Sequence, residues 1–217
     1  MKLKVCGMKH PENIEQLLRL EPDFMGLIFY PKSPRNVDGK INPARVRSLN
    51  TLRKVGVFVN ESLEKIMEKI QEYGLDLIQL HGQEKPELCR NLQERGVGVI
   101  KVFSIGSGFD FDRLRAYEAV VDYFLFDTKG KHPGGNGVVF NWDILQEYPS
   151  NVPFFLSGGI GPESLDRLNN LKLPNLYAVD VNSRFELEPG LKDISALQHF
   201  TQHLSSHSPP HNTPITQ

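Results

Sequence analysis

Short apolar, β-rich runs recur along this chain at intervals of roughly 25 residues, with amphipathic stretches between them. The runs occupy 3–5, 24–28, 55–59, 75–80, 97–103, 123–126, 154–156 and 177–181. Most are continuous rather than alternating, the signature of strands covered on both faces in a parallel sheet. The intervening segments follow helical spacing. Leu63, Ile66, Met67 and Ile70 lie at i, i+3, i+4 and i+7, with Asn60 as the expected N-cap and Gly74 as the stop. Ile14, Leu17 and Leu18 repeat the pattern behind Pro11, as do Leu88, Cys89 and Leu92 behind Pro86, where Gly96 closes the helix. Further helices are expected at about 43–49, 109–118, 141–148, 162–170 and 193–204. Eight strands alternating with eight helices predict an α/β fold whose parallel eight-stranded sheet closes into a single (β/α)8 barrel. The alternative, an open doubly wound sheet, usually carries a glycine-rich nucleotide turn after its first strand. Cys6-Gly7-Met8-Lys9 does not supply one.

Eight such units nearly use up the 217 residues. One domain is expected over 1–204, with two longer loops, from Phe29 to Asn42 and from Thr128 to Phe140. Residues 205–217 carry Ser208-Pro209-Pro210 and Thr213-Pro214 and are expected to form a disordered tail. The balance of 25 basic against 26 acidic side chains lacks the electrostatic footprint of a nucleic-acid binder. No apolar stretch approaches the roughly 18 residues of a membrane span, and no signal-peptide core follows Met1. Two cysteines make no disulfide framework, so a cytoplasmic protein without membrane or nucleic-acid partners is expected.

Catalysis in such a barrel sits at the C-terminal ends of the strands. Those ends carry Cys6-Gly7, His81-Gly82, Asp127, Ser157-Gly158-Gly159 and Asp180-Val181-Asn182-Ser183. Leu156-Ser157-Gly158-Gly159-Ile160-Gly161-Pro162-Glu163 reads as strand, glycine turn and helix start, suited to bring backbone N–H groups against an anion. With Asn182 and Ser183 one unit later, it predicts a phosphate site shared by the last two loops. Its structural alternative is a tight turn that merely needs glycine. Cys6 ends a strand facing the expected pocket, and to act as a base it must become a thiolate, below its ordinary pKa of about 8.5. Cys89 sits on an apolar helix face and is assigned no chemistry. Asp127 is suited to give up a proton, or else to pair with Lys129. Arg35, in the proline-stiffened loop Tyr30-Pro31-Lys32-Ser33-Pro34-Arg35, offers a guanidinium that matches a carboxylate. His199, His203, His207 and His211 recur every fourth residue, but Pro209 and Pro210 break the helix and no carboxylate completes a metal set, so no metal is expected.

The ordered motifs Val5-Cys6-Gly7-Met8, Gly26-Leu27-Ile28-Phe29-Tyr30-Pro31-Lys32-Ser33-Pro34-Arg35, Val55-Gly56-Val57-Phe58-Val59-Asn60 and Gln79-Leu80-His81-Gly82 closely resemble the phosphoribosylanthranilate isomerase family of tryptophan biosynthesis. So do Leu125-Phe126-Asp127-Thr128-Lys129, Gly134-Gly135-Asn136-Gly137-Val138-Val139-Phe140-Asn141-Trp142, Leu156-Ser157-Gly158-Gly159 and Ala178-Val179-Asp180-Val181. The resemblance spans roughly residues 2–204. It implies a cofactor-free Amadori rearrangement with Cys6 as general base and Asp127 as general acid. It further implies Arg35 on the anthranilate carboxylate, Gly158, Gly159, Asn182 and Ser183 in the phosphate loops, and Asp180 and His81 at the substrate. A phosphosugar-anthranilate substrate and a monomer or homodimer follow. The family usually reads Asp-Val-Ser-Ser-Gly-Val-Glu where this chain has Asp180-Val181-Asn182-Ser183-Arg184-Phe185-Glu186, so Arg184 stands in place of a glycine. The alternatives are the sister Amadori isomerase of histidine biosynthesis, which usually works with two aspartates, and a phosphosugar-binding barrel without catalysis.

Overall fold

The computed structural model describes residues 1–128 and 141–204. The expectations placed on Lys129, on the motif from Gly134 to Phe140, on His207 and His211 and on a disordered tail lie outside the described residues. Eight parallel strands close into a barrel in chain order: β1 (Lys2–Cys6), β2 (Phe24–Ile28), β3 (Arg53–Phe58), β4 (Leu77–Leu80), β5 (Gly98–Ile105), β6 (Tyr123–Thr128), β7 (Phe154–Leu156) and β8 (Leu176–Val181). β1 pairs with both β2 and β8, which seals the sheet without a free edge. The expected (β/α)8 barrel is therefore the architecture observed.

Alternate residues of each strand meet inside it. Phe24, Val55, Leu77, Ile100, Val102, Leu125, Phe155 and Ala178 form an inner cluster, while the opposite faces join the larger core beneath the helices. At the N-terminal strand ends the rings of Phe24, Tyr123, Phe155 and Tyr177 interlock at 4.8–6.3 Å. Burying the two phenylalanine rings fully stabilises the fold by roughly 1.5–3 kcal/mol each.

Three strand starts share one device. Asp23, Asp76 and Asp122 each stand one residue before a strand and accept from the backbone N–H of Leu3, Lys54 and Val99 on the neighbouring strand, at 2.9, 2.7 and 2.7 Å. The backbone N–H of each aspartate returns a bond to the carbonyl of the same residue. The pair completes the ladder where it would otherwise end in unpaired groups. This closure explains why β4 begins at Leu77 and not at Leu75.

The helices α1 (Pro11–Leu18), α2 (Pro43–Arg47), α3 (Leu63–Tyr73), α4 (Pro86–Gln93), α5 (Leu165–Asn170) and α6 (Ile194–His203) pack outside the sheet. Gly74 ends α3 in the left-handed region, as expected, but the cap is Ser62, whose hydroxyl accepts from the Lys65 N–H. Asn60 instead adopts a φ of 52° and accepts from the Gln83 N–H, tying the β3 loop to the β4 loop. Two expected helices are 3-10 turns. Over 109–118 the chain forms only the turns Phe111–Leu114 and Glu118–Val120, beside which Phe103 meets Phe109 and Tyr117, and Phe109 meets Phe111, edge to face. Over 141–148 it forms the turn Trp142–Glu147, which ends where Pro149 disfavours helical geometry at Tyr148. The segment 162–170 begins as the turn Pro162–Ser164 before α5. An unexpected hairpin, β9 (Glu186–Glu188) and β10 (Leu191–Lys192), follows β8, turning at Gly190 with a φ of 94°. Among the described residues no helix is long and apolar enough to cross a membrane.

Candidate active site at the barrel mouth

A cavity of about 480 Å³ opens at the C-terminal ends of the strands, a volume suited to a small ligand. All nine of the residues expected to serve the site line it: Cys6, Arg35, His81, Asp127, Gly158, Gly159, Asp180, Asn182 and Ser183. They come from β1, β6, β8 and the loops after β2, β4, β7 and β8, so closure of the barrel alone brings them together.

Cys6 is the last residue of β1 and is buried. Gly26 on β2 stands beside it in register, and a side chain there would come within 2.6 Å of the thiol. Two residues earlier on the same face of β1, Lys4 is wholly buried and pairs with Asp180 of β8 at 2.7 Å. Asp180 also accepts from the Ser157 hydroxyl at 3.2 Å. Burial pushes the Cys6 thiol above its ordinary value and the Asp180 carboxylate adds to this; the Lys4 and Lys192 ammoniums pull the other way but do not overcome it. The low thiol pKa expected for a base is thus not what these neighbours produce.

Asp127, in β6, faces the cavity from another wall. Its Oδ1 accepts from the Thr128 N–H at 2.8 Å, and its Oδ2 lies 3.4 Å from Nε2 of His81. Gln79, two residues earlier within β4, places Nε2 3.3 Å from Nδ1 of His81. The tautomer with its proton on Nε2 accepts from this amide and turns an N–H toward Asp127. Among the described residues the buried Oε1 of Gln79 has no hydrogen-bond partner. The loop that holds His81 is fixed from below by Glu84, which accepts from the Asn60 and Gly82 N–H groups and pairs with the buried Lys101 at 2.9 Å.

Gly158 adopts a φ of 91°, and a side chain on it would meet the Thr128 backbone nitrogen at 2.5 Å and Oδ1 of Asp127 at 2.9 Å. Gly159, with a φ of 70°, continues the turn. This turn therefore needs glycine for its conformation and for its closeness to Asp127. Across the mouth, Arg184 reaches back to Glu163 at 2.6 Å, with both side chains about half exposed, at 45% and 55%. Asn182 spends its side-chain oxygen on Lys192 at 2.7 Å. Arg35 crosses the end of β1 over Gly7 and is held by Glu186, at 2.9 and 3.0 Å from Nε and 2.6 Å from Nη2.

Lys4, Gln79, Glu84, Glu186 and Lys192 are polar residues that the sequence reading passed over. The readable signal for Lys4 and Gln79 was their parity: a charge or amide inside a strand run, two residues before a strand-end group. Cys89 lies buried on α4, where desolvation pushes its thiol up to about 11. His199 and His203 stack one turn apart on α6, and among the described residues no cluster of His, Cys, Asp and Glu is arranged to hold a metal ion.

The sequence profile of the family described as N-(5'phosphoribosyl)anthranilate (PRA) isomerase matches residues 3–203. This chain belongs to that family. Its relatives include the N-(5'-phosphoribosyl)anthranilate isomerases of Phocaeicola vulgatus, 48% identical over 94% of this chain and 98% of the relative, and of Parabacteroides distasonis, 46% identical over 94% and 93%. Among solved structures, the phosphoribosyl anthranilate isomerase of Thermotoga maritima superposes with a TM-score of 0.81 at 33% identity, covering 94% of this chain and 98% of that one. A further family structure, at TM-score 0.77 and 32% identity over 94% and 98% of the two chains, holds reduced 1-(o-carboxyphenylamino)-1-deoxyribulose 5-phosphate. The Thermotoga enzyme is described as dimeric.

Proposed function

We propose that this chain carries out the family reaction of tryptophan biosynthesis, the Amadori rearrangement of N-(5-phosphoribosyl)anthranilate to 1-(2-carboxyphenylamino)-1-deoxyribulose 5-phosphate, with Asp127 as general acid and Cys6 as general base. The observation that carries the proposal is that a thiol and a carboxyl face one cavity whose rim has a guanidinium on one side and a glycine turn on the other. Asp127 protonates the furanose ring oxygen, and the ring C–O bond breaks to leave a protonated Schiff base within the substrate. The Cys6 thiolate then takes the proton from C2, and its electron pair forms the C1–C2 double bond of an enolamine. That enolamine gains a proton at C1 and loses one from its 2-hydroxyl to become the ketone. The nitrogen of the substrate supplies the electron sink, so this route uses no added cofactor.

The neighbours of each group favour these roles. Lys4 and Lys192 oppose the burial that keeps Cys6 protonated, so they stabilise the thiolate that the second step requires. His81 faces Asp127 with an N–H and stabilises the carboxylate left after proton donation. Gly158, Gly159 and Ser183 present backbone donors to the phosphate, and Arg35 takes the anthranilate carboxylate. Purified protein incubated with N-(5-phosphoribosyl)anthranilate alone is expected to consume it, with decay of the substrate fluorescence and appearance of the aminoketose. Tight binding of the substrate without turnover would instead favour a binding barrel.

A further inference from the structure

Arg35 does not stand alone at its side of the cavity. Glu186, the first residue of the β9–β10 hairpin, meets its guanidinium side-on through Nε and Nη2. Glu186 has only 4% of its side chain exposed, and Lys192 across the hairpin pairs with it at 2.6 Å with none of its side chain exposed. The hairpin is itself pinned: the Gly190 N–H donates to Oε1 of Glu186, and Asn13 on α1 exchanges hydrogen bonds with the backbone of Lys192 at 2.7 and 3.0 Å. Burial alone would push the Glu186 carboxyl up, yet Arg35 and Lys192 hold it below the usual carboxylate range, so it stays ionised.

A guanidinium has two edges that accept a carboxylate in parallel, one through Nε and Nη2 and one through Nη1 and Nη2. Glu186 takes the first. Among the described residues nothing bonds to Nη1, so the second edge remains for a ligand. We propose that Glu186 is the positioning residue of the substrate-carboxylate site: it fixes the plane of Arg35 so that the Nη1/Nη2 edge is presented to the cavity before substrate arrives. The inference rests on the reading of Arg35 as the carboxylate ligand. Arg35 need not release Glu186 to bind, because the two carboxylates use different edges. Without this anchor a flexible arginine must be ordered at the moment of binding, which weakens affinity without touching the chemical step.

Glu186→Gln tests this directly, because its amide turns an N–H against the donor edge of Arg35. The expected result is a KM raised about tenfold or more with kcat within about threefold, and a matching loss of inhibition by anthranilate. Inhibition by inorganic phosphate should change by less than about threefold. Lys192→Met removes an equally buried charge from the same hairpin but leaves Glu186 on Arg35; it lowers turnover through Cys6, yet in the anthranilate-binding readout it should cost less than about threefold. Anthranilate affinity unchanged or tighter in Glu186→Gln, while Arg35→Ala weakens it, overturns the proposal; so does an equal loss in Glu186→Gln and Lys192→Met. Unchanged affinity in Arg35→Ala overturns instead the reading on which it rests. If Glu186→Gln does not fold, the double variant Glu186→Gln/Lys192→Met removes both buried charges and should fold. It should show the same anthranilate loss, and wild-type affinity in it overturns the proposal.

Discussion

Replacing Lys4 by methionine keeps the stem of the side chain and removes its ammonium from a wholly buried position. The ammonium lies 2.7 Å from Asp180, whose residue is 6% exposed. At an effective dielectric near 20, charges at that distance attract by about 6 kcal/mol, against which stands the cost of taking both out of water. Removing only the cation leaves the carboxylate buried with, among the described residues, the Ser157 hydroxyl at 3.2 Å as its side-chain donor. Such a break costs about 3–5 kcal/mol, whereas replacing both charges is near neutral. Lys4→Met should therefore lower the unfolding free energy by about 3–5 kcal/mol, or the melting temperature by about 6–20 °C. Lys4→Met/Asp180→Asn should recover most of the loss. Denaturant titration followed by the fluorescence of the single, buried Trp142 measures both. A Lys4→Met cost under about 1 kcal/mol, or costs that simply add in the double variant, would mean that the pair is not a coupled buried ion pair.

Three further outcomes follow from the site. Because burial raises the Cys6 pKa and the base must be ionised, kcat/KM should climb with pH through an ionisation above the ordinary thiol value of about 8.5, and Lys4→Met should move that limb higher still; a pH–rate profile flat above pH 8 speaks against this. Gly158→Ala should cut kcat by about tenfold or more, since its methyl is forced onto Asp127 and Thr128 in a left-handed backbone; steady-state kinetics with unchanged kcat would remove the argument from close approach. Arg184→Gly, which restores the residue usual in the family, should change stability by less than about 1 kcal/mol in thermal melts, because the Arg184–Glu163 pair is half exposed.

The barrel was legible because strands covered on both faces must be continuously apolar, and the eight runs could be counted. Where packing overrode pattern, legibility ended. Leu114, Tyr117 and Val120 carry a helical apolar spacing, yet Leu114 and Val120 fall in two separate 3-10 turns, and Tyr117, between them, packs edge to face on Phe103. Glu188-Pro189-Gly190 was a turn signal in plain view, but a hairpin appended to a (β/α) repeat breaks the period that organised the reading. In the site, the residues that end a strand were found because position alone marks them. The groups that hold those residues were not. Glu186 reaches Arg35 across 151 positions of chain, and Lys4 reaches Asp180 across 176, so only closure of the barrel reveals the pairs. Arg184 could be recognised as a departure from the family pattern, but its partner Glu163 lies on the preceding loop and required coordinates.

On the proposed route Cys6 and Asp127 move the two protons of one rearrangement. Turnover of N-(5-phosphoribosyl)anthranilate by the wild-type chain, Cys6→Ala and Asp127→Ala, without added cofactor and with stability checked in parallel, tests it most directly. Each variant should bind substrate and lose about 10²–10⁴-fold in kcat, while the wild-type protein turns over normally. Wild-type turnover in both variants would contradict the account.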